Sequence, residues 1–229
     1  MQTEIASQNN VSQSNFTKVT LLTIADLDAL YLFECATWPI GARASKESIS
    51  KRFELQHWIY AAWKNNAIIG VLCWRLGYFD PSNIESFPNN FNKFANAPNA
   101  KPYNAAYVYN LSVHPSHRGK PVAKYLMQSS LKEYHDPQLL YLVGDGRCPS
   151  YNGSHNSNEK IEQRADFKKV IDQHFSLNMP ISLNDFLIDP VLCFYYRMLN
   201  CHFNWVIKDF LPTDSASGGY RVIFYKILK

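Results

Sequence analysis

The stretch YVYNLSVHPSHRGKPVAKYLM at Tyr107 to Met127 constrains the fold most. Apolar residues alternate through Ala105 to Val113, which reads as a β-strand. From Pro121 to Glu133 the spacing becomes helical, with Val122, Tyr125, Leu126 and Leu131 available for an inner face. Between them lies a short basic turn containing Gly119. Such a turn leaves backbone N–H groups unpaired at the helix N-terminus, where the helix dipole favours an anion. Arg118, Lys120 and Lys124 add positive charge at the same place. A further strand at Leu139 to Val143 follows, and strand, helix, strand in this order implies a right-handed crossover between parallel neighbours.

Around this unit the chain reads as alternating elements. Phe16 to Leu22 has strand character, and Thr23 can N-cap a helix running to about Trp38, with Asp26 and Asp28 in its first turn. A short helix is expected from Ser45 to Phe53. His57 to Lys64 and Ile68 to Leu76 read as a hairpin, because Asn65-Asn66 tolerates the positive φ of a tight turn. Gly77 to Tyr103 is rich in Asn, Pro and Phe without a sustained period, which suggests a substrate flap. The polar stretch 144–184, with a helix from Glu159 to Phe175, reads as a second insertion. Asp189-Pro190 opens a helix to about Leu199, and two runs, Phe203 to Phe210 and Tyr220 to Ile227, close the chain as an antiparallel pair.

Composition narrows the function classes. With 229 residues, 46% of them hydrophobic, a single domain over 16–229 is expected behind a flexible Gln/Asn/Ser-rich leader at 1–15. The apolar runs end well short of the ~20 residues of a membrane span, and the start lacks the order of a secretory signal, so a cytoplasmic protein is expected. Five cysteines without regular spacing indicate neither a disulfide framework nor a zinc site. A net charge of +4, scattered rather than striped, speaks against a nucleic-acid partner but suits an anionic cofactor.

Leu111-x-Val113-x-Pro115 followed by Arg118-Gly119-Lys120-Pro121-Val122-Ala123 resembles the coenzyme A signature of the GNAT superfamily of N-acyltransferases. Arg118 and Ala123 fill the outer positions of its Arg/Gln-x-x-Gly-x-Gly/Ala pattern, while Pro121 replaces the central glycine and removes one N–H donor. Asp189 to Cys201 is similar to the family's late helix, Asn-Pro-x-Ala-x-x-x-Tyr-x-x-x-Gly-Phe, and counting places the family tyrosine at Tyr196. The departures there are Asp189, Leu192, Asn200 and Cys201.

The resemblance implies an α/β fold with a six- or seven-stranded twisted mixed sheet flanked by helices. It also implies an acyl-CoA co-substrate, with acetyl or a longer chain; no metal is expected, because no His/Cys cluster has metal-ligand spacing. The main chain at Leu111, Ser112 and Val113 would meet the pantetheine arm. The turn groups of Gly119, Lys120, Val122, Ala123 and Lys124 would grip the phosphates, with Arg118 beside them. Tyr196 would protonate the departing thiolate, a role within reach of a phenol. The family's glutamate base falls on Tyr109, a poor base. Asp145 is the nearest plausible carboxylate, although a turn residue before Gly146 is the plainer reading. His114 and His202 are ambiguous. No G-x-S-x-G elbow is present and Cys148 lies in the polar insertion, so direct transfer is favoured over a covalent nucleophile. The acceptor is an amine of a small molecule or peptide. Fatty-acyl transfer to a peptide side chain and a non-catalytic acyl-CoA sensor are alternatives, and a homodimer is left open.

Overall fold

The computed structural model describes residues 18–134, 136–151, 161–177 and 183–228. The leader expected at 1–15, and the polar run from 152 to 160, lie outside them. Seven strands form one sheet in the order β1-β2-β3-β4-β5-β7-β6. They are β1 (Lys18–Leu21), β2 (Trp58–Lys64), β3 (Ala67–Gly77), β4 (Ala105–Val113), β5 (Tyr141–Arg147), β6 (His202–Ile207) and β7 (Arg221–Ile227). Only β4 and β5 pair in parallel among them. The helices are α1 (Leu27–Thr37), α2 (Lys46–Glu54), α3 (Phe91–Ala95), α4 (Val122–Glu133), α5 (Ile161–Leu177), α6 (Leu183–Phe186) and α7 (Pro190–Leu199).

Local chemistry accounts for most of these boundaries. Asn65 and Asn66 both take positive φ, 49° and 61°, so the β2–β3 hairpin closes as their type suggests. The Ser45 side chain accepts from Ser48 N–H and caps α2. Asp189 caps α7 by accepting from the N–H groups of Val191 and Leu192, with Pro190 in the first turn. Asn200 ends α7 in the left-handed conformation, taking the place a glycine would fill. The first helix differs from expectation in one respect. Thr23 starts a 3-10 turn at Ile24–Asp26 through a reciprocal capping box with Asp26, and the α-helix begins only at Leu27.

Two cores flank the sheet. One face carries Leu30 and Phe33 of α1 and Ile49 of α2 against Ile59, Val71, Cys73 and Tyr107. The other carries Val122, Leu126 and Met127 of α4 against Leu72, Val108, Leu142 and Phe224. Tyr125, expected on the inner face of α4, is 42% exposed instead. A third cluster joins Phe167 and Ile171 of α5 to Phe186 and Leu192.

Two expectations are corrected. The segment from Gly77 to Tyr103 is not a flap: Phe79, Phe87, Phe94 and Ala95 are all under 5% exposed and belong to the first core, with α3 inside the segment. Its aromatic residues are spaced irregularly because they fill gaps, so no period announces them. The second insertion does not begin at 144, because β5 runs on to Arg147 and pairs with β7 throughout. Gly144 and Gly146 make room there. A Cβ would lie 2.4 Å from Phe224 at the first and 2.5 Å from Leu192 at the second.

Candidate active site

β4 and β5 pair from Ala105/Tyr141 to Val108/Gly144 and then part company. The cause lies on the other side of β4. The β3–β4 register shifts between Cys73/Asn110 and Trp74/Val108, leaving Tyr109 as the extra residue of a β-bulge. The bulge flips the pleat: Tyr107 and Tyr109 lie in one core, whereas Leu111 and Val113 beyond it pack against the other. The sheet-edge groups from Tyr109 to Val113 are thereby freed from β5. Ser112 Oγ and Asn110 Oδ1, both buried here, have no hydrogen-bond partner among the described residues.

β4 leads through a 3-10 turn at Pro115–His117 into the glycine turn. Gly119 has φ 79°, and nothing lies within 4 Å of where a Cβ would stand, so the turn presents bare backbone to open space. Arg118, Lys120 and Lys124 are all exposed around it. Pro121 is the N-cap, so its missing N–H costs the helix nothing, and the first-turn N–H groups of Val122, Ala123 and Lys124 are those a helix cannot pair internally. This donor set, with its cations and uncluttered glycine, fits a pyrophosphate-bearing co-substrate such as acyl-CoA.

A cavity of about 430 Å³ opens beside the split. Its wall is made by Glu34 and Trp38 at the end of α1, the loop at Arg43, Arg52 of α2, Tyr109 to Leu111, Asp145 and Arg147 of β5, Tyr195 of α7, and Arg221. Asp145 accepts from Arg221 Nε at 3.1 Å and is held in β5, opposite Ile223, not in a turn. Burial raises its pKa to about 7; Arg221 opposes this and Asp214 adds to it. Arg221 also reaches Asp214 at 2.8 Å, and Arg147 grips Asp214 with two nitrogens at 2.6 and 2.8 Å. Burial works against Asp214, but the two arginines overcome it and bring its pKa down to about 2. The strong contacts therefore go to Asp214, and Asp145 is the carboxylate left able to take a proton near neutrality.

Tyr109 lines the cavity but is no base. Its hydroxyl lies 3.1 Å from His57 Nδ1, while His57 Nε2 lies 2.9 Å from the Ala97 carbonyl. A carbonyl only accepts, so Nε2 carries the proton and Nδ1 accepts from the tyrosine. Burial lowers His57 to about 4 and keeps it neutral, and burial likewise holds Tyr109 far above the ordinary phenol value.

Of the adjacent tyrosines on α7, Tyr195 is the one on the cavity wall. Its ring packs on Phe224 at 4.4 Å, and burial raises its pKa. Tyr196, about 100° further round the helix, is half-buried and does not line the cavity. The structure thus brings Tyr109, Leu111 and Asp145 together in one cavity and leaves Tyr196 and the glycine turn outside its wall. Sequence reasoning missed Glu34, Arg52, Arg147, Tyr195 and Arg221. Arg52 had a signal, since it stands three residues after Ile49 on the inward stripe of α2. Among the described residues no group of His, Cys, Asp and Glu side chains is arranged to hold a metal ion, and no helix is long and apolar enough to cross a membrane.

A mixed sheet whose parallel pair parts beyond a bulge, followed by a basic glycine turn at a helix N-terminus, is the arrangement of a GNAT-type protein. The sequence matches the acetyltransferase (GNAT) family over residues 24–151, more than half the chain, and the protein belongs to that family. Among solved structures, the chain is similar to the GphF GNAT-like decarboxylase in complex with isobutyryl-CoA, at 18% identity over 93% of this chain and 100% of that one, with TM-score 0.70. The loading GNATL domain of CurA from Lyngbya majuscula also gives TM-score 0.70, at 14% identity, covering 92% of this chain and 96% of that one. The ribosomal-protein-S18-alanine N-acetyltransferase from Escherichia coli gives 0.54 at 10% identity, covering 93% and 94%. At these identities the likeness is one of fold. No curated protein sequence gives a significant match.

Proposed function

We propose that the protein transfers an acyl group from acyl-CoA directly to an amine held in the cavity. The observation that carries this reading is Asp145, a buried carboxylate on the cavity wall beside the opening between β4 and β5, whose burial raises its pKa against the pull of Arg221. An amine arrives as ammonium and must lose a proton before it can attack, and a carboxylate poised near neutrality suits that task. The freed nitrogen lone pair forms the C–N bond to the thioester carbonyl carbon. The C–S bond breaks with its electron pair going to sulfur, and Tyr196 supplies the proton that sulfur takes up. Asp145 holds the first proton from nitrogen and passes it to solvent, and the second proton, lost from nitrogen as the amide forms, returns through water to the Tyr196 oxygen.

The chain's own residues do the positioning. Gly119 to Lys124 hold the phosphates, the freed edge at Leu111, Ser112 and Val113 aligns the pantetheine arm, and Tyr195 walls the amine toward Asp145. Acetyl is the simplest donor; a longer chain is the second choice.

A second reading is decarboxylation of a carboxyacyl-CoA, favoured by the GNAT-like decarboxylase among the structures of TM-score 0.70. Incubation with acetyl-CoA and a panel of amines, followed for free thiol and for acylated amine, tests the first reading. Equal thiol and amide support transfer; carbon dioxide released from malonyl-CoA without amide supports the second.

A further inference from the structure

The two ends of the cavity differ in how their cations are neutralised. At the β5 end Arg147 and Arg221 are paired with Asp214 and Asp145. At the α2 end stands Arg52, only 5% exposed. Its Nε donates to Asn96 Oδ1 at 2.9 Å and its guanidinium stacks over the Tyr109 ring at 5.0 Å, but it has no ion pair among the described residues. Arg43 lines the same end. Among the described residues its terminal nitrogens reach neutral acceptors only, Cys35 Sγ, Cys35 O and Trp38 O, each at 3.4 Å, and its buried Nε has no partner. Glu34 is close enough to feel both charges, and its carboxylate also accepts from Ala44 N–H at 2.9 Å, so two guanidinium groups share this buried carboxylate. Two guanidinium groups beside one carboxylate leave a positive charge in excess, and relieving such an imbalance in a buried place is worth more than a surface contact. A planar anion entering the cavity would supply the missing charge with the fork geometry arginine prefers.

We propose that Arg52 and Arg43 form a carboxylate subsite, so that the substrate in this cavity carries a carboxylate at the α2 end and its reacting group at the Asp145 end. This rests on the acyl-transfer reading for the role of the Asp145 end, but the subsite itself is a binding property and is tested as one. If the carboxylate belongs to the acceptor, amino acids and short peptides with a free carboxylate are the substrates. If it belongs to the donor, a dicarboxylic acyl-CoA occupies the cavity.

The experiment uses matched pairs with the full chain. Amino acids and dipeptides are compared with their carboxamides as acceptors for acetyl-CoA, and malonyl-CoA is compared with butyryl-CoA as ligand. Binding is read by thermal shift and turnover by thiol release, in the wild type, Arg52→Gln, Arg52→Lys and Arg43→Gln. The expected result is at least tenfold preference for the carboxylate member of one pair, lost in Arg52→Gln, reduced in Arg43→Gln and partly kept in Arg52→Lys. Preference within the acceptor pairs assigns the carboxylate to the amine, and preference within the donor pair assigns it to the acyl chain. The acetyl-CoA thermal shift, expected to survive in all variants, shows that each is folded. Carboxylate preference without thiol release would sink the transfer reading and leave the subsite standing. Equal binding of acids and carboxamides, or a preference that persists in folded Arg52→Gln, would overturn the subsite.

Discussion

At the scale of single residues, the site divides into groups whose roles can be separated by mutation. Asp145 should impose an ionisation on catalysis. Burial raises its pKa to about 7, so the base form grows as pH rises, and kcat/KM should climb through about pH 7 and level off above it. Asp145→Asn should lower kcat/KM by roughly 10²-fold or more and flatten that limb, as measured by thiol release from pH 5.5 to 8.5. Tyr196→Phe should reduce kcat by about 10- to 100-fold with little change in the dissociation constant for acetyl-CoA, whereas Tyr195→Phe should act chiefly on KM for the amine. If the two variants exchange these signatures, the cavity-facing tyrosine is the acid. Tyr196 was named by counting along the α7 motif, and the structure leaves it off the cavity wall. Tyr195 was not, because which of two neighbouring aromatics meets the cavity depends on how α7 rotates onto Phe224.

At the scale of elements, local chemistry was readable and tertiary accommodation was not. The caps at Ser45 and Asp189, the Asn65-Asn66 turn and the strand-to-helix turn at Gly119 depend on residues within a few positions of one another, and each stands where its sequence places it. The extension of β5 through Gly144-Asp145-Gly146 depends on Phe224 and Leu192, which lie far along the chain, so it reads as a turn until the packing is known. Two outcomes follow for these elements. Gly119→Glu should abolish acetyl-CoA binding, because a side chain and a negative charge would enter the backbone cradle and φ 79° is strained for any residue with a Cβ; calorimetric titration checks this. Asp189→Ala should destabilise the protein by about 2 to 3 kcal/mol. The carboxylate is buried and accepts not only from Val191 and Leu192 but also from Ser150 N–H at 2.9 Å, tying α7 to the end of β5. Urea unfolding would measure it.

At the scale of the whole molecule, the bulge at Tyr109 is what makes a continuous sheet into a site. It parts β4 from β5, and the parted strands leave buried polar groups and a charged cavity that a closed sheet would have no room for. The mixed sheet and the family were within reach of the sequence because they follow from the order of elements and two short motifs. The cavity was not, since its wall draws on residues from Glu34 to Arg221 that no single stretch brings together. The most direct measurement is the joint appearance of free CoA thiol and acylated amine when the purified chain is given acetyl-CoA and the amine panel. The account expects the two products in a one-to-one ratio, both dependent on Asp145. Thiol released without acylated amine, or a thermal shift with acetyl-CoA and no thiol at all, would contradict it.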